Sequence, residues 1–224
     1  MLPASLRASA AHVFVDDLEL PELDERDTHH LGRVLRLRDG QSVTVSDGRG
    51  RWRTAVWRAG AVEPDGETCG PSPRPAVTIA AAIPKGDRLE WMVQKLTEVG
   101  VDGITLVDCH RSVVRWDAAR AGAQRARLTR IVRDAAMQSR RTWLPELAGP
   151  VPLVSVLDGD GAVVVADPAG AVFDVAAPVT VVVGPEGGFT PDEVAGAQLV
   201  ALGDHVLRVE TAAVVAVVLA TQFR

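Results

Sequence analysis

The sequence has few cysteines, no long apolar run and no overall excess of positive charge. Its two cysteines, Cys69 and Cys109, belong to no paired motif, which excludes a disulfide framework and a zinc knuckle. The longest apolar run covers residues 212–220, whereas a membrane-spanning helix needs about 20 apolar residues. Residues 1–11 contain one arginine and no apolar core, so they do not resemble a signal peptide. We therefore expect a cytoplasmic protein with no membrane span and no metal site.

The overall composition is that of an ordinary folded protein. Apolar residues make up 47% of the chain and charged residues 24%, a balance that is typical of soluble globular proteins and excludes extensive disorder. A chain of 224 residues suits one large domain or two small ones, and it is long enough to bury a hydrophobic core.

Positive charge is concentrated in two stretches of this otherwise acidic chain. The net charge is −5, yet residues 111–141 contain nine arginines and two aspartates, and residues 26–58 contain eight arginines and three aspartates. The first stretch carries +7 and leaves −12 on the rest of the chain. Such clustering indicates an anionic partner that meets a defined surface, although a solvated helix face explains the charge alone equally well.

Residues 12–63 show the short alternating segments of a small β-structure. Strands are predicted at residues 12–15, 41–46 and 51–56, and the turn at residues 47–50 makes the last two a hairpin. Apolar residues at helical spacing predict a short helix over residues 29–38, which ends at a glycine. We expect a small β-barrel with one helix, in which Trp52 and Trp57 pack in the core or on the barrel surface rather than stack on RNA.

A proline-rich stretch over residues 71–76 divides the chain. Prolines at 71, 73 and 75 cannot continue a strand or a helix, so we predict a first domain over residues 1–70 and a second over residues 77–224. In the second domain, apolar runs predict strands at residues 77–83, 103–107, 163–166, 179–183 and 206–209. Helices are predicted at residues 87–99, 117–141 and 211–222, with a further helix starting at Thr190. This alternation implies an α/β layer with a parallel sheet.

Two late segments carry candidate chemistry. The buried strand at residues 179–183 runs into the glycine-rich loop 184–189, and α/β folds bind ligands at such strand ends because glycine lets the backbone approach closely. A simple tight turn explains this loop as well, and it matches neither a P-loop nor a dinucleotide motif. The second segment, residues 202–212, places Arg208 and Glu210 before an apolar helix, where an ordinary ion pair is also expected.

Together, the two segments closely resemble the RsmE family of SPOUT methyltransferases. The resemblance rests on GPEGGF at residues 184–189 and LGDHVLRVETA at residues 202–212. It extends to residues 29–40, 83–88, 94–101, 111–113 and 136–145, which is nearly the whole chain. Enzymes of this family use S-adenosylmethionine to methylate N3 of a uridine in the decoding-site helix of 16S rRNA. The resemblance therefore implies a PUA-like β-barrel, a SPOUT domain with a deep trefoil knot, a homodimer, and 16S rRNA or the small ribosomal subunit as the partner.

The resemblance also implies where the cofactor binds: at Gly184, Pro185, Glu186, Gly187, Leu202, Gly203, Leu207, Arg208 and Thr211. The N3–H group of uracil has a pKa far above that of a carboxyl group, which is about 4.3. N3 therefore keeps its proton at neutral pH, and the enzyme must stabilise the uracil anion or supply a base. We assign Arg208 to the first role and Glu210 or Glu186 to the second.

Phosphate contacts are predicted for Arg33, Arg36, Arg38, Lys85, Arg88, Arg111, Arg115, Arg140 and Arg141. Two alternatives remain open from the sequence: another SPOUT activity, such as ribose 2′-O-methylation, and a non-catalytic RNA-binding factor for ribosome assembly.

Overall fold

The computed structural model describes residues 2–72 and 74–222, which form two compact units. The first unit combines the described residues up to 72 with Arg133–Leu144, and the second combines Arg74–Val132 with the described residues from 145 onward. The first unit is therefore built from two separate stretches of chain. Pro73, in the middle of the predicted linker 71–76, lies outside the described residues.

The first unit contains a four-stranded sheet. In chain order its elements are α1 (Ala4–Ala8), β1 (His12–Phe14), α2 (Glu25–His29), a π-helical turn (His30–Val34), β2 (Ser42–Ser46), β3 (Trp52–Arg58) and β4 (Ala61–Cys69). The strands lie in the order β1-β2-β3-β4. β1 pairs with β2 in parallel, and the other pairs are antiparallel. The pairing of β2 with β3 confirms the predicted hairpin.

Alternating side chains of these strands form the core of the first unit. Val43, Val45 and Ala55 are completely buried, and Trp57 is 4% exposed. Of the two positions predicted for Trp57, the structure shows the core, and Trp52 is buried as well. Ala136 and Met137, from the later stretch of chain, belong to the same core cluster.

The helix of the first unit is displaced from its predicted position. The Asp24 carboxylate accepts a hydrogen bond of 2.6 Å from the backbone N–H of Asp27 and so caps α2 at Glu25. The helical segment ends before Arg36, which has a φ of +52°. The prediction of a helix over residues 29–38 is therefore wrong at both ends, because an aspartate cap starts it earlier and a left-handed residue stops it sooner.

The second unit is an α/β layer. Its elements are β5 (Val77–Ala82), α3 (Arg88–Val99), β6 (Gly103–Asp108), α4 (Ala118–Gln138), β7 (Glu146–Pro152), α5 (Leu153–Leu157), β8 (Val163–Val172), β9 (Val179–Val183), a 3-10 turn (Asp192–Val194), β10 (Gln198–Ala201) and α6 (Val209–Thr221). The last residues of α4, from Arg133, belong to the first unit. The strands lie in the order β10-β8-β9-β5-β6-β7, and every pair is parallel. The predicted α/β class and parallel sheet are confirmed.

The central strands of this sheet, β5 and β9, are the apolar runs that the sequence predicts to be buried. Ala80, Ala82 and Val182 join one core cluster, and α6 packs against α3, β5 and β9. Because all six strands are parallel, their carboxyl ends lie at one edge of the sheet. The segments that follow β5, β9 and β10 therefore start from the same edge.

Two predicted elements of the second unit are wrong. Thr190 starts only the 3-10 turn, because Ala195 leaves the helical region with a ψ of 123° and Gly196 follows with a φ of +79°. The capping interaction itself forms, since the Glu193 carboxylate accepts hydrogen bonds from the backbone N–H and hydroxyl of Thr190 at 2.8 and 3.0 Å. The strand predicted at residues 206–209 is instead a loop that enters α6, and the edge strand is β10.

Within residues 2–72 and 74–222, no helix is both long enough and apolar enough to cross a membrane. The same residues contain no group of three or more histidine, cysteine, aspartate and glutamate side chains that could hold a metal ion.

Candidate functional site

A cleft lies at the carboxyl edge of the parallel sheet in the second unit, beyond the end of β9. Its volume is about 230 Å³. The loop after β9 and the loop before α6 both line it, together with residues of β8. The lining residues are Ala166, Asp167, Pro168, Val183, Gly184, Pro185, Glu186, Gly188, Phe189, Leu202, Gly203, His205, Val206, Leu207, Val209 and Ala212.

The loop after β9 is a tight turn held by its own backbone and by one arginine. The backbone N–H of Gly188 donates to the carbonyl of Pro185 at 2.8 Å. The guanidinium of Arg111 donates to the carbonyl of Gly187 at 2.9 Å. At Gly184, a Cβ atom would lie 2.7 Å from the ring of Phe189. Glycine is therefore needed there for Phe189 to cover the end of the strand.

The loop before α6 brings a second strained glycine to the cleft. Gly203 has a φ of +147°, a conformation that side chains disfavour. Val206 lines the cleft and is 86% exposed, so its apolar side chain is open to a ligand there. Arg208 follows as the N-cap residue of α6 and is exposed, as is Thr211. The loop thus presents backbone and apolar groups to the cleft, and next to them an exposed guanidinium that has no hydrogen-bond or ion-pair partner among residues 2–72 and 74–222.

Two carboxylates and one arginine form a charged cluster at the same sheet edge. Nε of Arg88, at the start of α3, lies 3.6 Å from Oε1 of Glu210, and its Nη1 lies 4.0 Å from Oε1 of Glu186. Glu210 sits in the first turn of α6, where the helix dipole favours a negative charge. It is 8% exposed, and its Oε2 is buried without a hydrogen-bond partner among the described residues. A buried acceptor without a donor is rare in folded proteins, so this oxygen is the unusual feature of the cluster.

The structure brings most of the predicted cofactor residues together. Those that line the cleft are Gly184, Pro185, Glu186, Leu202, Gly203 and Leu207. Among the described residues, Gly187, Arg208 and Thr211 lie outside this lining. Asp167 also lines the cleft, but it lies within β8 and no recognisable motif marks it in the sequence.

Two groups near the glycine loop have displaced pKa values with structural causes. Burial raises the pKa of the Cys109 thiol to about 11, so it remains protonated at neutral pH and serves as a packing residue rather than a nucleophile. For Glu193, burial acts to raise the pKa, but hydrogen bonds from Thr190 and His110 outweigh it and lower the pKa overall. Glu193 is therefore a charged anchor, and its Oε1 accepts a bond of 2.5 Å from the backbone N–H of His110.

The predicted phosphate-binding residues fall into two groups. Exposed side chains without a hydrogen bond in the described part of the chain are Arg33, Arg36, Arg38 and Lys85. The others contact protein groups: in addition to Arg88 and Arg111, Arg115 donates to the carbonyls of Cys109 and His110 at 3.3 Å. Arg140 donates to the carbonyls of Met137 and Ser9 at 3.0 and 3.1 Å. Arg141 is 9% exposed.

Comparisons with known proteins give consistent matches. A family model described as an RNA methyltransferase domain matches residues 71–221, and one described as an RNA methyltransferase PUA domain matches residues 23–56. Ribosomal RNA small subunit methyltransferase E of Mycobacterium bovis is 36% identical over 217 residues, which cover 87% of this chain and 83% of that protein.

Solved structures agree with these matches. The crystal structure of a probable rRNA-methyltransferase from Porphyromonas gingivalis has a TM-score of 0.79 at 30% identity and covers 96% of this chain and 100% of that one. Ribosomal RNA small subunit methyltransferase E from Neisseria gonorrhoeae, bound to S-adenosylmethionine, has a TM-score of 0.76 at 26% identity and covers 92% of this chain and 94% of that one.

Proposed function

The chain belongs to the family of ribosomal RNA small subunit methyltransferase E, and from this we propose that it methylates N3 of a uridine in the decoding-site helix of 16S rRNA. S-adenosylmethionine is the proposed methyl donor. The observation that carries the proposal is the cleft at the carboxyl edge of the parallel sheet, which the two glycine-bearing loops line together. Such an edge is where open α/β sheets bind their ligands.

The cleft suits the adenosine end of the donor. Gly184, Leu202 and Leu207 line it, so backbone groups and apolar side chains surround the space, as in most small-molecule sites. Its volume of about 230 Å³ is below the roughly 300–1,000 Å³ that is usual for such sites. We therefore propose that Gly184, Leu202 and Leu207 hold the adenosine end and that the donor extends past the cleft. The methionine end is assigned to Pro185, Glu186 and Gly203, which line the same cleft, and to Gly187, Arg208 and Thr211, which lie outside its lining.

The chain must prepare the uracil nitrogen for transfer. S-adenosylmethionine supplies a methyl group on a positively charged sulfur, and the sulfur–carbon bond breaks as the nitrogen–carbon bond forms. The N3 proton must therefore pass to a base. Glu210 suits this role because its Oε2 accepts no hydrogen bond from the described residues, while Arg88 lies against the other oxygen and fixes the side chain. Glu186, against the same arginine, is the second candidate.

Arg208 is assigned to the uracil anion. It is exposed at the N-cap of α6, two residues before Glu210. A guanidinium stays charged at every relevant pH and donates in a fixed fork, so it stabilises negative charge on the uracil carbonyl oxygens as N3 loses its proton. Base and anion-stabilising group then come from one short segment at the start of one helix.

RNA binding is assigned to the arginine-rich stretches. Arg33, Arg36, Arg38 and Lys85 have exposed side chains that are available to phosphates. The same role is proposed for the arginines that already contact protein groups. A guanidinium has five N–H donors, so a bond to one carbonyl leaves others for a phosphate. These residues are Arg88, Arg111, Arg115, Arg140 and Arg141. Phosphate contacts release counterions, so affinity should fall steeply with salt.

The proposal extends to the organisation of the enzyme. We propose a PUA-like barrel domain over residues 1–70, a linker over residues 71–76 and a knotted SPOUT domain over residues 77–224. We also propose a homodimer in the cytoplasm. Large apolar side chains remain exposed on the packed helices α3 and α6, with Trp91 46% and Val218 47% exposed, and such surfaces are typical of interfaces.

Calorimetry and mass spectrometry test the proposal. Titration of the purified protein with S-adenosylmethionine should give a saturable heat, whereas a non-catalytic RNA-binding factor gives none. Incubation with the donor and with small ribosomal subunits from a strain that lacks this methylation should then yield N3-methyluridine in 16S rRNA. A ribose 2′-O-methyl product would replace the assigned reaction, and no methylation of the rRNA would refute the enzyme. A reaction without the donor is the control.

A further inference from the structure

A second cavity lies entirely within the first unit. Its volume is about 660 Å³, inside the roughly 300–1,000 Å³ range of sites that bind small ligands. α2 and the π-helical turn supply one wall, and residues near the end of α4 supply another. None of the residues assigned above to the methyl donor contributes to it. The cavity is therefore separate from the proposed donor site.

The wall supplied by the π-helical turn has unusual geometry. The backbone N–H of Leu35 donates to the carbonyl of His30 at 2.9 Å, which is the wide repeat of a π-helix. Arg36 follows in the left-handed region, with a φ of +52°. Both features are uncommon, and both occur preferentially at functional sites. With this geometry Val34 and Leu35 both line the cavity and both remain open to solvent. The side chain of Val34 is 59% exposed and that of Leu35 is 44% exposed.

The cavity also offers polar groups that have no protein partner. The side chains of His29, His30 and Gln138 line it and make no side-chain hydrogen bond within residues 2–72 and 74–222. An imidazole and an amide provide both donors and acceptors, which is what the edge of a nucleobase requires. The apolar pair Val34 and Leu35 offers a surface for the face of a base. A site with these two parts matches a planar ring that carries polar edges.

Charged groups line this cavity and follow its apolar wall. Arg26 and Arg140 line it together with Asp27 and Asp134, so its arginines and carboxylates balance. Arg36 follows the apolar pair directly, Arg38 lies two residues further on, and both are exposed. Single-stranded RNA is recognised through unstacked bases and through arginines beside its backbone, so these two arginines favour an RNA over a neutral ligand.

We infer that the cavity binds one unstacked nucleobase of the RNA substrate, with Val34 and Leu35 against its face and His30 and Gln138 at its edge. The inference rests on the proposed function, because it requires RNA as the substrate. The captured base is a different nucleotide from the methylated uridine, which must reach the cluster around Glu210 in the second unit. Capture of a second base would set the register of the substrate.

Neutral substitutions in the apolar pair test the inference. Leu35→Asn and Val34→Asn keep the charge and remove the apolar surface, and each should weaken binding to small ribosomal subunits by about tenfold to a hundredfold, the range for one aliphatic side chain that is buried on binding. The salt dependence of binding should stay as in the wild type, because no phosphate contact changes. Leu20→Asn is the matched control, since Leu20 is 76% exposed in the same unit and lies outside the cavity lining.

A crosslinking experiment identifies the occupant directly. With photoreactive p-benzoylphenylalanine at position 35, mass spectrometry should find an adduct on a nucleobase of 16S rRNA. An adduct on a ribosomal protein, or wild-type affinity in both asparagine variants, would overturn the inference. Calorimetry with S-adenosylmethionine keeps the two proposals separate. Failure of the wild type to bind the donor refutes the proposed function, whereas wild-type donor binding with unchanged subunit affinity in the variants refutes only the base-binding cavity.

Discussion

Lowering the pH should destabilise the first unit through one buried histidine, His12. This side chain is 2% exposed, with its Nε2 2.9 Å from the carbonyl of Arg141 and its Nδ1 2.9 Å from the hydroxyl of Thr44. A carbonyl only accepts, so Nε2 carries the proton, and the Thr44 hydroxyl donates to Nδ1 in the neutral ring. Protonation of Nδ1 would reverse that second bond, so that the Thr44 hydroxyl must accept it, and would place a charge in the core.

The size of the effect follows from the pKa. Burial lowers the pKa of His12 from 6.5 to about 4, so the unfolded chain binds this proton at a higher pH than the folded unit does. Between these values the free energy of unfolding falls as the pH falls, and the pH dependence from this group fades as the pH rises above 6.5. One pKa unit corresponds to about 1.4 kcal/mol, so the loss between pH 7 and pH 4 should be about 3 kcal/mol.

Urea unfolding, followed by tryptophan fluorescence at a series of pH values, measures this loss. The His12→Gln variant should be less stable at pH 7, but its stability should fall by about 3 kcal/mol less than that of the wild type on going to pH 4. His29→Gln, which replaces an exposed ring, measures the effect of losing a histidine from the surface. Parallel stability curves for the wild type and His12→Gln, or an NMR titration that places the pKa of His12 near 6.5, would refute the argument.

Four further predictions concern the candidate active site and RNA binding. Glu210→Gln should retain donor binding in calorimetry and lower turnover by about 10²-fold to 10⁴-fold, the usual contribution of a general base; wild-type turnover would remove the assignment. Arg88→Gln should lower turnover less than Glu210→Gln does, and the double variant should be no slower than Glu210→Gln alone. Additive losses of turnover would show that Arg88 does not act through Glu210. Gly184→Ala should displace Phe189, destabilise the second unit by about 1–3 kcal/mol and weaken donor binding; an unchanged urea midpoint would contradict the contact. Substitution of Arg33, Arg36 or Arg38 should remove a phosphate contact, which filter-binding assays at several salt concentrations can detect. The slope of log affinity against log salt should become shallower by about 0.7 to 0.9 for each contact removed. An unchanged slope would exclude the substituted residue as a phosphate contact.

Local patterns predicted the parts of the fold that depend on neighbouring residues. The apolar runs that form β5 and β9 were identifiable because strands buried on both faces need continuous hydrophobic side chains. The helix predicted from Thr190 failed although its capping interaction forms, because Ala195 and Gly196 leave the helical conformation. The strand predicted at residues 206–209 failed because Val206 is apolar for a different reason, as part of the cleft lining. A short edge strand such as β10 carries too few residues for a recognisable pattern.

The candidate site was predictable only through its family resemblance, which the family matches confirm. Motifs identified the two loops that line the cleft, but they could not show that Arg88 lies between two carboxylates or that one oxygen of Glu210 has no partner. Charge alone suggested that Arg111 and Arg140 contact phosphates, whereas the structure shows that both also hold backbone carbonyls. Such contacts join residues far apart in sequence and leave no local pattern.

The split origin of the first unit constrains how the nascent protein can fold. Arg133 donates a hydrogen bond of 2.5 Å to the buried carboxylate of Asp27, and Ala136 and Met137 complete the core around Leu31. During translation, residues 1–73 leave the ribosome long before these partners exist. The amino-terminal strands must therefore wait, with part of their apolar surface open, until residue 144 has emerged. For the same reason, no single proteolytic cut can release this unit intact.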